Sequence, residues 1–209
     1  MKIALDPGHG GIFPGAIGVN PFELREKDVM LALSLKVGKL LKQCGHQVIY
    51  TRHDDRHLDE NLILDLRKRI ECANSAGADI FVSLHCNAYS DPNPEGIETL
   101  YHPDSSVSEK LARAIQDSLA STFIDHVNRG VKPKDLFVLR FAQMPACQIE
   151  AEFISNPTQL EFLASPTNQE NLARAIAEGI MDFGEVHSKS QQRALAHRSR
   201  PSKFHRKKA

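Results

Sequence analysis

Two histidines and two glutamates stand where their side chains could do chemistry together. His9 follows the short apolar run Lys2–Leu5 and sits in a loop of glycines. His85 directly follows the apolar run Ile80–Leu84, and Glu26 just precedes the first long helical pattern. Two imidazoles and one carboxylate make a common catalytic zinc set that leaves a fourth position for water. Zinc lowers the pKa of that water toward roughly 7, which makes hydroxide available at neutral pH. Singly, each residue has a plainer reading: a histidine at a strand end is often structural, and a glutamate opening a helix is a favourable dipole charge. The combination raises the odds. Gly8, Gly10 and Gly11 are expected to turn the backbone sharply and to keep bulk away from a metal, so that a substrate can approach.

Glu150 is the fourth piece. It lies in C-Q-I-E-A-E-F-I-S-N, an apolar run read as a strand. A carboxylate there is costly unless something uses or pairs it. Beside an activated water it could serve as general base and then protonate a leaving amine. Glu152 lies two residues on, so alternation puts it on the same face, and two near carboxylates raise at least one pKa. The competing reading pairs one or both with Arg69 or Arg140. Asn87, two residues after His85, is either a substrate hydrogen-bond partner or a turn residue.

These residues need a frame to hold them. Lys2–Leu5 ends at Asp6-Pro7-Gly8, and the stretch 6–21, with five glycines and three prolines, cannot be a helix. Helical spacing runs from Lys27 to near Gly45 through Val29, Leu33, Val37, Leu40 and Leu41, and again over Glu60–Ser75. Further helices are expected over 106–121 and over Gln169–Phe183. Strands are expected at Gln47–Thr51, Ile80–Leu84, Ile97–Tyr101, Phe137–Leu139 and Gln148–Ile154. Strands alternating with helices favour an α/β fold, a single mostly parallel sheet with helices on both faces. Ligands of such sheets bind at the carboxyl ends of the strands, which is where His9 and His85 fall.

The 209 residues, 41% hydrophobic and 25% charged, suit one globular domain. Net charge is zero but unevenly spread. Residues 187–209 hold eight Lys/Arg and no acid, leaving 18 basic against 26 acidic residues in 1–186. Residues 1–186, which hold the candidate site, are read as the catalytic domain, and 187–209 as a basic, disordered tail. That tail either contacts an anionic polymer or lipid head groups by charge or is simply solvated. No cysteine pair has C-x-x-C spacing, which argues against a thiolate zinc site. No apolar run approaches a transmembrane helix. The start MKIALDPGHGG is no signal peptide, so synthesis in the cytoplasm is expected.

D-P-G-H-G-G at 6–11 with P-G-A-I-G at 14–18 resembles the opening motif of the zinc-dependent N-acetylmuramoyl-L-alanine amidases of the third amidase class. L-R-E-K-D-V at 24–29 is similar to the segment bearing their glutamate ligand. R-I-E-C-A-N at 69–74, followed by A-D-I-F-V-S-L-H-C-N-A at 78–88, resembles the segment bearing their second histidine. M-P-A-C-Q-I-E-A-E-F-I-S-N-P at 144–157 is similar to the segment of their catalytic glutamate. The match is collinear from residue 3 to about 183. It implies a twisted six-stranded sheet flanked by helices, His9, Glu26 and His85 as ligands of one zinc ion, and Glu150 as general base. The implied reaction is hydrolysis of the amide joining muramic acid to L-alanine in peptidoglycan, by an enzyme that reaches the wall after release or export. A monomer is the default expectation, with no specific nucleic acid partner.

Two features distinguish this chain within that resemblance. The family usually has glycine where Glu152 stands, which makes Glu152 a candidate for tuning Glu150 or touching substrate. Some cell-division members carry a long helix, inserted between the second histidine and the glutamate, that blocks the zinc. Here only 64 residues separate His85 from Glu150, so an unobstructed site is expected. The rival readings are a zinc peptidase acting on the stem peptide and a catalytically silent wall-binding protein on the same fold. A nucleotide-binding reading of the glycine loop fails, because G-x-G-x-x-G and the P-loop lysine pattern are both missing.

Overall fold

The computed structural model describes the backbone of residues 1–198 and the side chains of residues 1–187. In chain order the strands are β1 (Lys2–Pro7), β2 (Ile17–Gly18), β3 (Leu24–Arg25), β4 (Gln47–Tyr50), β5 (Ile80–Asn87), β6 (Ile97–Tyr101), β7 (Asn128–Pro133) and β8 (Ala146–Phe153). The helices are α1 (Glu26–Gln43), α2 (Leu62–Ser75), α3 (Ser106–Thr122), α4 (Phe137–Arg140), α5 (Pro157–Ala164) and α6 (Pro166–Arg198). Six strands form one sheet in the order β4-β1-β5-β8-β6-β7, and β2 and β3 form a small separate ribbon. The joints are parallel except for β8 against β6. This is the mostly parallel α/β sheet that the alternation of patterns predicts.

Alternation along the central strands sorts side chains to two faces. Ile3, Leu5, Val82, Leu84, Cys86, Ile149 and Ala151 enter the larger core with Leu33, Val37 and Leu41 of α1, Leu111 and Ile115 of α3, and Ile176 and Ile180 of α6. Each large aliphatic side chain buried there contributes roughly 1.5–3 kcal/mol. The smaller core sets Ala4, Phe81 and Ala146 against Ile70 and Ala73 of α2 and Val138 and Leu139 of α4. The same alternation turns Asp6, Ser83, His85, Gln148 and Glu150 to the second face, near the carboxyl ends of β1, β5 and β8.

Several boundaries differ from expectation. Phe137–Leu139, expected to be a strand, lies in the helical turn α4. An apolar run of three is too short for its period to be read. The sixth strand is β7, N-R-G-V-K-P, an edge strand with almost no apolar signal. Helix α5 was not expected, although Asn156 caps it by accepting the N–H groups of Thr158 and Gln159 and a proline opens it. Helix α6 runs to Arg198, well past Phe183, so 187–198 of the segment expected to be disordered is helical backbone. The remainder of that segment, 199–209, lies outside the described residues.

Candidate metal and hydrolytic site

The loop after β1 is held by buried charge. Asp6, 1% exposed, accepts hydrogen bonds from Thr51 Oγ1 (2.5 Å), Ser83 Oγ (2.7 Å) and Arg69 Nη1 (2.9 Å). Burial would raise its pKa, but the Arg69 charge and the two hydroxyl donors outweigh it and hold the carboxyl below its usual range. Arg69 also donates to Asp65 (2.6 Å), to the Pro7 carbonyl (2.9 Å) and to the His9 carbonyl (2.6 Å). A second buried guanidinium, Arg52, donates to the carbonyls of Pro7, Gly8 and Lys27 at 2.9, 2.8 and 2.7 Å. Desolvation and the neighbouring Arg69 charge lower the pKa of Arg52 to about 10. Two arginines thus satisfy carbonyls at the end of β1, in the loop that follows it and at the start of α1. They also hold His9 at φ 62°, a left-handed conformation costly for a residue with a side chain.

The glycines of this loop do something other than clear a path for substrate. A Cβ on Gly8 would lie 2.4–2.7 Å from the His85 ring, and one on Gly15 would lie 2.5 Å from Glu26 Oε2 and 2.7 Å from the His9 ring. Gly10 and Gly11 would meet Arg56, Arg52 and His57. Their missing side chains give room to the protein's own imidazoles, carboxylate and loop 52–57. At Gly8 the space kept clear is that of a candidate ligand ring, while Gly10 and Gly11 clear space for the protein's own loop 52–57.

Glu26 is the first residue of α1, and the cap residue Arg25 makes no side-chain cap bond. The opening N–H groups of the helix are instead satisfied by loop carbonyls, Glu26 N–H by Ala16 (2.9 Å) and Lys27 N–H by Pro14 (3.1 Å). This fixes the buried Glu26 carboxylate between the two histidines. His85 Nδ1 lies 2.8 Å from Oε1 and His9 Nε2 3.1 Å from Oε2, while the Ala16 and Cys86 N–H groups donate to the same carboxylate at 2.8 and 3.1 Å. Burial opposes its charge, but the hydrogen bonds and charges of His85 and His9 win and hold Glu26 well below the carboxylate range. His85 moves the other way. Burial lowers its pKa, and the bond and charge of Glu26 more than restore it.

One donor atom from each of His9, Glu26 and His85 lies within 4.8 Å of the others. Ligand atoms about 2.1 Å from a shared tetrahedral zinc stand roughly 3.4 Å apart, which lies within that bound. The donor set, two imidazole nitrogens and one ionised carboxylate, suits zinc chemically. The rings keep 28% and 18% side-chain exposure, so solvent reaches the cluster. Beside His9 and His85 lies a cavity of about 140 Å³, walled by Leu62 and Leu66 of α2, by Leu136, Phe137 and Val138, and by Gln148.

Glu150 faces His85 in register across β5 and β8. It is buried, and Gln148 Nε2 donates to its Oε1 at 2.7 Å. Desolvation pushes it up to about 7; the His85 charge and the Gln148 bond pull it down, and Glu26 and Glu98 push it further up. Neither Arg69 nor Arg140 pairs with it. Arg69 is committed to Asp6 and Asp65, and Arg140 pairs with Asp135.

Glu152 does not join this site. Its φ of 88° breaks the strand alternation, and the register between β5 and β8 shifts there. The side chain, 0% exposed, accepts from Gly96 N–H (2.6 Å) and lies 2.8 Å from His126 Nδ1. His126 packs on Phe123 and Phe162, toward the larger core. A substrate contact by Glu152 is therefore corrected: it has no surface to offer. Asn87, half-buried, donates from Nδ2 to Glu98 Oε1 at 3.3 Å.

Sequence reasoning missed Arg52, Gln148, Glu98 and the cations Arg129 and Lys132 that hold Glu98. Only Gln148 left a trace, being two residues from Glu150 on one strand. Between His85 and Glu150 the chain forms β6, α3, β7 and α4, with no long inserted helix.

Residues 3–182 match the family model described as N-acetylmuramoyl-L-alanine amidase. The germination-specific N-acetylmuramoyl-L-alanine amidase of Bacillus subtilis is 31% identical, the match covering 87% of this chain and 78% of that protein. The amidase LytC of B. subtilis is 33% identical over 87% of this chain but only 35% of its own length. Among solved structures, the CwlD amidase of Clostridioides difficile, in complex with the GerS lipoprotein, superposes with a TM-score of 0.81 at 34% identity. That match covers 88% of this chain and 98% of that one.

Proposed function

Because this chain belongs to the N-acetylmuramoyl-L-alanine amidase family, a family of amide hydrolases, we propose that it uses zinc to cut the amide between muramic acid and L-alanine in peptidoglycan. The observation that carries the residue assignment is the convergence of His9, Glu26 and His85, the last of them in direct register with a buried, high-pKa carboxylate, Glu150.

His9, Glu26 and His85 would hold the ion. Zinc, when bound, supplies Lewis-acid polarisation of the scissile carbonyl and lowers the pKa of water. Glu150 takes one proton from the attacking water as oxygen bonds to the carbonyl carbon. It then delivers that proton to the alanine nitrogen as the C–N bond breaks, which leaves a free amine and the muramic acid carboxyl, whose remaining proton passes to solvent or to the amine. Burial raises Glu150 above the ordinary carboxylate range in the metal-free protein, which favours a group that must both accept and return a proton. Gln148 donates to Glu150 Oε1 and so restrains the carboxylate that would move the proton. Asp6, Arg69 and Arg52 orient the His9 loop. We place the action at the wall, after release or export.

Digestion of purified peptidoglycan, with products identified by mass spectrometry, tests this reading. Peptides with a free N-terminal alanine, lost on chelation and restored by zinc, support it. Cleavage inside the stem peptide would make the enzyme a peptidase instead. Binding without release would leave a silent wall-binding protein.

A further inference from the structure

The row of side chains across the sheet does not stop at Glu150. Its register partner on β6 is Glu98, about 4.8 Å further from the metal-binding residues. Glu98 is largely buried, yet two cations converge on one of its oxygens. Arg129 Nε lies 2.8 Å and Lys132 Nζ 2.5 Å from Oε2, and the Asn87 amide holds Oε1. Burial would raise the Glu98 pKa, but these donors hold it below the ordinary range, so it stays charged. Two cations on one anion leave the group with a net positive charge. They also leave donors unused. Of its five N–H groups Arg129 commits Nε to Glu98 and one on Nη1 to the Glu95 carbonyl (3.4 Å), and Lys132 commits one of three. Both side chains reach solvent, at 32% and 44% exposure. The guanidinium is preset, lying 5.0 Å over the Phe153 ring.

We propose that Arg129 and Lys132 form a carboxylate-binding subsite for the peptide half of the substrate. The inference rests on the amidase reading above and assigns the direction in which the peptide lies. The leaving nitrogen must come within hydrogen-bond reach of Glu150, so the peptide continues from Glu150. The cations arise from β7, two strands beyond β8, and their heads reach back to Glu98 on β6, the next strand after Glu150. Two extended residues advance about 7 Å, against a strand spacing of about 4.8 Å, so the second residue of the peptide comes level with the unused donors. The ligand is an acidic residue at that position with a free carboxylate, for which a guanidinium and an ammonium are matched partners.

The test uses the full chain loaded with zinc and two soluble muramyl peptides, one with D-glutamate after L-alanine and one with D-isoglutamine. The wild type is expected to favour the free acid by about tenfold in kcat/KM, mostly through KM, the size of a charge-assisted hydrogen bond. Arg129→Gln with Lys132→Gln reduces the ratio to about one, and Lys132→Gln alone gives an intermediate ratio. Glu98→Gln, which frees both cations from their internal anion, widens it. If the cations served only to neutralise Glu98, rates on both substrates would change together and the ratio would hold; that result overturns the proposal, as does equal use of both substrates by the wild type. Failure to cleave either one would instead refute the amidase reading, and this inference with it.

Discussion

His85 and Glu150 are register partners on adjacent parallel strands, one imidazole tied to Glu26 and one carboxylate held by Gln148. The sheet itself therefore sets the spacing between the candidate metal cluster and the carboxylate proposed to move the proton. Glu150→Gln keeps the shape and removes the base. Turnover of peptidoglycan is expected to fall about 10²–10⁴-fold, while zinc content, measured by mass spectrometry of the purified protein, is unchanged. A near-normal rate would show that another group moves the proton.

The raised pKa of Glu150 has a thermodynamic signature. Its folded value, about 7, lies above that of an unfolded glutamate, so the folded state binds the extra proton between the two values. Stability from this group is present at low pH and is lost as pH rises from about 4.5 to 7, up to roughly 3 kcal/mol for the metal-free protein. Urea unfolding of the chelated protein across that window should show the decline. Glu150→Gln should flatten it.

Glu26 combines two duties that separate substitutions should distinguish. His9→Ala and Glu26→Ala are both expected to release zinc. Glu26→Ala also strips the acceptors from the buried Cys86 and Ala16 N–H groups, at about 1–3 kcal/mol for each donor left unsatisfied. In chelator, where zinc no longer contributes, Glu26→Ala should unfold at lower urea than His9→Ala. With zinc at about 100 times its dissociation constant, the wild type should gain roughly 2.7 kcal/mol over its chelated form.

Glu152 sits where a glutamate is conformationally strained, and its partners compensate. Removing the side chain separates the two effects. Glu152→Ala loses the bonds to His126 and Gly96 but keeps the left-handed backbone. Glu152→Gly loses the same bonds and relieves the backbone. The alanine variant should be less stable than the glycine variant by about 1 kcal/mol in chemical denaturation. The opposite order would mean that the backbone at 152 carries no strain.

The large elements were legible because their signals are local. Val29, Leu33, Val37 and Leu41 repeat at helical spacing and are all buried on α1, and Ile80–Leu84 reads as a fully buried strand and is one. The convergence of His9 and His85 was legible for a different reason, since both follow apolar strand runs and strand ends in an α/β sheet are where ligands bind. What failed depended on long-range context. Nothing in T-R-H-D-D-R says that Arg52 is buried, because its partners are carbonyls 25 to 45 residues away. The β7 edge strand pairs by backbone alone with little apolar surface. Alternation misplaced Glu152, because a positive φ at one residue turns the side chain and only the folded sheet shows it.

The sheet order also bears on the protein during its own synthesis. β5 and β6 are consecutive in sequence but not neighbours in space; β8, made about fifty residues after β6, fills the place between them. A ribosome that has emitted residues 1–145 has delivered His9, Glu26 and His85, but neither Glu150 nor the strand on which both halves of the sheet close. On the proposed mechanism, such a fragment is expected to lack hydrolase activity until β8 seats between the two halves of the sheet.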